Sequence, residues 1–165
     1  MEIPPVGVWL LTAATAIDDE VDLEGLPAAD QIDEWLYSTA YDLIDEAEPV
    51  SGLKLTIHAD GTFTEEKTGL LNLPWYDREG VLDEAVTPFS GILKTEENLM
   101  YLHLEEPISW ATPEDTIREV RVRYDDGDTI ICDRIEIISN QLVRTMSVVT
   151  DELYLNKVLL IYQKT

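Results

Sequence analysis

Apolar and polar residues alternate over most of this 165-residue chain, and a period of two is the mark of half-buried strands. Leu53, Leu55 and Ile57 alternate with Lys54, Thr56 and His58. Beyond the turn Ala59-Asp60-Gly61 the alternation resumes in Thr62-Phe63-Thr64, which predicts a hairpin. Ser90 to Thr95 and Leu99 to Leu104 flank the polar turn Glu96-Glu97-Asn98, and Pro107 closes that pair. The theme repeats through Ile117 to Tyr124, Thr129 to Ile138, Leu142 to Val149 and Leu155 to Gln163. Asp125-Asp126-Gly127-Asp128 and Ser139-Asn140-Gln141 supply turns among them. Val6 to Ala14, a short apolar run after a proline pair, adds a first strand. The reading is about nine strands joined by connections mostly in the hairpin range. Leu70 to Val86, with Pro74, Trp75, Tyr76 and Gly80, reads as a longer loop placed to shape an opening.

One segment has a different period. From Ala28 to Ala47, residues Ile32, Trp35, Leu36, Ala40, Leu43 and Ile44 fall on one stripe of a helix. Asp30, Asp33 and Glu34 lie in or near its first turn, where the helix dipole favours anions, and Pro49 ends it. The acidic stretch Asp18-Asp19-Glu20-Val21-Asp22 connects it to the first strand.

The fold class predicted is therefore mainly β, an up-and-down antiparallel barrel of about 8–10 strands with a helical insertion, between residues 15 and 51, after the first strand. Closure removes the two unpaired edges that an open antiparallel meander would expose. Residues 1–165 read as a single domain, and a barrel of this size has room for side chains or for one small ligand.

Charge narrows the partners. Asp and Glu total 34 against 11 Lys and Arg, a formal net charge of −23. Such a surface repels phosphate backbones and anionic lipid, so nucleic acid and membrane are not expected partners. Cys132 is the only cysteine, so no intramolecular disulfide forms and a reducing compartment suits the chain. The first residues lack a signal-type pattern, and no apolar run approaches the ~20 residues needed to span a bilayer. The expected location is cytoplasmic. His58 and His103 have no His or Cys at ligand spacing, and Asp125-Asp126-Gly127-Asp128 is too short for a calcium loop, so no metal or cofactor is expected. His58 should sit on the solvent face.

Gly7-Val8-Trp9 at the start, and Leu142-Val143-Arg144-Thr145-Met146 with Tyr162-Gln163-Lys164 at the end, resemble the opening G-x-W and the closing strands of the calycins, the lipocalins and fatty-acid-binding proteins. The resemblance covers the strand order but its motifs lie only at the two ends. It implies that Gly7 and Trp9 close one end of the barrel, with Trp9 as a plug, and that a basic side chain near the C-terminus stacks on the Trp9 indole. Lys157, Lys164 and Arg144 are the candidates for that role. It also implies a helical lid over the mouth; the same stripe could instead pack against the barrel wall as core. The fatty-acid-binding branch holds a ligand carboxylate with Arg-x-Tyr on the last strand, whereas this chain has Leu160-Ile161-Tyr162 and keeps only the tyrosine. Arg134 matches the partner arginine only if the Ser139 turn is one residue longer.

Arg134 and Arg144 stand in otherwise apolar strands. Each must either face inward with a carboxylate partner, from the protein or from a bound acid, or face outward toward Glu136 or another acid. The last strands carry apolar residues on both faces, which suits a cavity on one side and the helix or a second subunit on the other; a homodimer is compatible with that.

The leading functional expectation is non-catalytic binding of a small hydrophobic or amphipathic molecule inside the barrel. Trp35, Leu36, Tyr101, Arg134, Met146 and Tyr162 are the candidate cavity or mouth residues. A second reading is an acidic inhibitor or immunity module that caps a basic protein. A third, a calycin-type isomerase or chromophore lyase, comes last, because no G-x-S-x-G, phosphate loop or Cys–His pair is present and no catalytic residue is assigned.

Overall fold

The structure is a computed structural model that describes residues 5–68, 89–96, 99–104, 118–120, 123–126 and 129–165. The chain runs β1 (Gly7–Glu20), α1 (Ala28–Tyr37), a 3₁₀ turn (Tyr41–Glu46), β2 (Glu48–Pro49), β3 (Leu53–Ile57), β4 (Thr62–Lys67), β5 (Phe89–Glu96) and β6 (Leu99–Leu104). It continues through β7 (Arg118–Val120), β8 (Arg123–Asp126), β9 (Thr129–Ile138), β10 (Gln141–Thr150) and β11 (Tyr154–Lys164). Leu70 to Val86, the turn residues 97 and 98, Gly127 and Asp128, Pro107 and Ile117 lie outside the described residues.

Eight strands close a ring. Each of β11, β1, β3, β4, β5, β6 and β9 pairs antiparallel with the next, and β9 pairs with β10, which returns to β11. β1 and β11 run side by side from Trp9↔Lys164 to Glu20↔Tyr154, so the first and last strands seal the wall along their whole length. The short β7–β8 hairpin branches from the early half of β9, and β2 adds a two-residue pairing to β1. The segment expected as one strand from Ile117 to Tyr124 is thus divided between two strands that pair with each other.

Alternation assigns the faces. Leu53, Leu55, Ile57, Phe63, Leu102, Ile135, Leu142, Leu160 and Tyr162 pack into one buried inner cluster with Trp9 and Leu11. The β1 parity shifts at a bulge between Leu11 and Ala13, after which Ala14 faces inward; Thr12 uses its extra position to donate from its hydroxyl to the Ile161 carbonyl, 3.2 Å away. At the β9–β10 hairpin Ser139 and Asn140 both have positive φ, 52° and 65°, the backbone of a two-residue primed turn.

The insertion departs from the sequence reading in its length. It is not one helix to Ala47: α1 stops at Tyr37, and Ser38 and Ala40 leave helical geometry before the 3₁₀ turn begins. The last-turn carbonyls go instead to cations on the barrel. Lys157 Nζ donates to the carbonyls of Trp35 and Ser38, both at 2.7 Å, and Arg134 donates to the Tyr37 carbonyl and the Thr39 hydroxyl. Of the lid and the wall packing left open for its stripe, the structure shows the second: the insertion lies on the outer wall. Ile32 and Leu36 pack with Tyr101, Cys132, Val149 and Leu155, while Leu43 packs with Val143, Leu159 and Ile161. These strand residues are the outward-facing apolar set of β6 and β9–β11, and covering them with the chain's own helix stabilises by roughly 1.5–3 kcal/mol per large side chain. The first strand is also longer than expected, because Ile17 to Glu20 keep pairing with β11 rather than forming a connector.

Candidate functional site

Gly7 and Trp9 start β1. Trp9 is buried, its indole N–H donates to the Pro5 carbonyl at 2.9 Å, and the Lys164 ammonium lies 6.0 Å from the ring centroid. Of the three candidate cations Lys164 is the one beside the Trp9 ring. Gly7 has φ +141°, and a Cβ there would lie 2.8 Å from Lys164 Cε, so the glycine makes way for that lysine. Lys157 stacks on a different indole, 4.7 Å from the Trp35 ring.

Halfway along the inner wall stands a charged cluster. Arg144, on β10, has the same parity as Leu142 and Met146, which turns it into the barrel. Asp133 on β9 sits opposite Met146, and Glu65 on β4 sits opposite the inward Leu55. Arg144 Nε and NH2 grip Asp133 at 2.9 Å and 2.6 Å, and NH1 donates to Glu65 Oε2 at 2.8 Å. All three side chains are less than a tenth exposed. Burial raises the Asp133 carboxyl above its ordinary range, against the opposing charge of Arg144. Burial alone would weaken the Arg144 guanidinium, but the two carboxylates more than offset it and hold the proton tightly.

Tyr162 completes the group from β11. Burial raises its phenol well above the ordinary value, and the charges of Arg144, Glu65 and Asp133 all reach it. Its hydroxyl is fully buried and has no hydrogen-bond partner among the described residues. The surrounding inner wall, including Leu55, Leu142 and Ile135, is closed to water.

The six candidate residues therefore divide between two faces. Met146 and Tyr162 are inside the barrel with Arg144. Trp35 and Leu36, on α1 itself, meet the outer face of the barrel where Tyr101 and Arg134 lie beneath the helix, and Tyr37 and Tyr101 meet edge to face at 6.5 Å. The turn decides this. Its two residues set Thr145 opposite Arg134 and Met146 opposite Asp133, so Arg134 turns outward and Asp133 inward. The sequence reading did not single out Asp133 or Glu65. A usable signal existed, since Glu65 shares the parity of Phe63 and so had to face inward with it.

Under the helix, Lys157 is only 2% exposed. Burial, then the charge of Arg134, pushes its ammonium down to about 8, and it also donates to the Ser38 hydroxyl at 2.9 Å. His58 is exposed, on the solvent side. No group of three or more His, Cys, Asp and Glu side chains gathers as for a metal ion among the described residues, and no described helix is long and apolar enough to cross a membrane.

Comparison with protein-family models, with curated proteins and with solved structures finds no match. The closed eight-stranded antiparallel barrel is compatible with a calycin-like fold, and it stands here on its own geometry.

Proposed function

We propose that this chain is a calycin-like barrel that binds a small, mainly hydrophobic molecule in its interior without catalysis. The observation that carries this reading is the Arg144, Asp133, Glu65 and Tyr162 cluster, set inward on an otherwise apolar wall. A few convergent polar groups with shifted titration, ringed by apolar side chains, are the ordinary composition of a ligand site. Buried ion pairs are weak stabilisers of a fold, so a purely structural purpose is a poor account of three charges at its centre. Uptake requires the closed inner wall to part. A cytoplasmic location fits the lone, buried Cys132.

Native mass spectrometry of freshly purified protein, followed by titration with the neutral dye Nile red, tests the reading. A small molecule released on denaturation, or saturable one-to-one dye binding, supports it; the absence of both would overturn it.

One observation favours a second reading, an acidic module that caps a basic protein. No Lys or Arg occurs in residues 1–53, and the outer side of the helical layer presents Asp30, Asp33, Glu34, Asp42, Asp45 and Glu46 to solvent. Salt-sensitive capture of a basic protein by this face, abolished by reversing the charge of Asp33 and Glu34, is the result expected of it.

A further inference from the structure

An arginine facing into a barrel suggests at first an anionic guest, but the arithmetic of this cluster runs the other way. Arg144 already directs Nε, NH1 and NH2 to protein carboxylates. A guest carboxylate would have to displace one of them, and would join two acidic groups served by a single guanidinium. Among the described residues no second cation stands near: Arg134 and Lys157 are on the opposite face beneath α1, and Lys164 lies over Trp9 at the start of β1. With all three groups ionised the cluster carries one negative charge in excess, in a place where water cannot screen it. The buried Tyr162 hydroxyl adds a lone pair and a proton without a protein partner among the described residues.

We infer that the interior cluster selects an apolar guest with a protonated amine head and rejects one with a carboxylate head. The inference rests on the proposed binding function. The ammonium completes the charge balance that Arg144 leaves short, donates to the Tyr162 oxygen, and leaves the Arg144 pairs in place. The alkyl part inserts among Leu55, Phe63, Leu102 and Leu160, which pack against one another in the closed wall and must part to admit it.

The test is displacement of Nile red at neutral pH by decylamine, decanol and decanoate, which share one chain and differ in head charge. Decylamine should displace the dye at a concentration at least about tenfold below that of decanoate, with decanol between them. Glu65→Gln removes the excess charge while keeping an acceptor for Arg144, and should shrink the preference to about threefold or less. Asp133→Asn serves the same purpose should Glu65→Gln fail to fold. Glu66→Gln, an exposed neighbour paired with Lys54, should leave the preference unchanged and so controls for general surface charge. Equal displacement by decylamine and decanoate, or a preference that survives the loss of the Glu65 charge, would overturn the inference while leaving the binding function standing. Failure of Nile red to bind at all would instead remove the function on which it rests.

Discussion

Replacing Arg144 by methionine tests the buried cluster most directly. Methionine fills much of the same volume, so the chief loss is the counter-ion to Asp133 and Glu65, both nearly closed to water. Removing one partner of a buried pair costs about 3–5 kcal/mol, because the remaining charges are stranded in a poor solvent. For a chain of this length that corresponds to a fall in Tm of about 6–20 °C. The pH dependence is the sharper signature. Asp133 is already raised by burial with Arg144 present, and the guanidinium that opposes the rise is what the substitution removes. A carboxyl whose folded-state pKa lies above its unfolded value stabilises below the unfolded value, and that contribution is lost as pH climbs through the folded one. The stability deficit of Arg144→Met relative to the parent should therefore narrow from pH 7 to pH 5, as the stranded Asp133 carboxyl takes up a proton. Urea unfolding at both pH values, followed by tryptophan fluorescence, measures it. Adding Asp133→Val and Glu65→Leu to Arg144→Met removes the stranded charges, and this triple variant should recover to within about 1 kcal/mol of the parent or exceed it. The reasoning is refuted if Arg144→Met costs less than about 1 kcal/mol, or if the triple variant is no more stable than the single one.

Two further perturbations probe other parts of the wall. Lys157 has a folded-state pKa below its unfolded one, so its charged form is disfavoured in the fold and the penalty is relieved as pH rises above about 8. The stability of the parent relative to Lys157→Met should increase by about 1.5 kcal/mol between pH 8 and 9.5 in paired urea titrations, and a flat difference would contradict the burial of a charged Lys157. Gly7→Ala places a Cβ where Lys164 passes and strains a backbone at φ +141°; unfolding experiments should show a loss of about 1–3 kcal/mol, with altered Trp9 fluorescence as Lys164 moves off the ring.

Much of the architecture was legible because alternation is a local property. Leu53, Leu55 and Ile57 announce both a strand and its inner face within five residues, and Asp60-Gly61 announces the turn that follows. The insertion was legible in part. Ile32, Trp35 and Leu36 mark the helical stripe, but its end at Tyr37 was not visible, because the groups that take up its last carbonyls, Arg134 and Lys157, come from strands about a hundred residues further along. The identity of the inward charges was hidden for a related reason. Arg134 and Arg144 look alike in sequence, each a lone cation in an apolar run.

By itself the chain determined its acidic composition, and also its period and its turns, since these two depend on neighbours within a few positions. Tertiary structure alone decided which face of β9 and β10 became the interior and which side of the wall received the helix. A two-residue turn at Ser139-Asn140 and a bulge after Leu11 set the parity of whole strands, and a shift of one residue in either would exchange every inward side chain for an outward one.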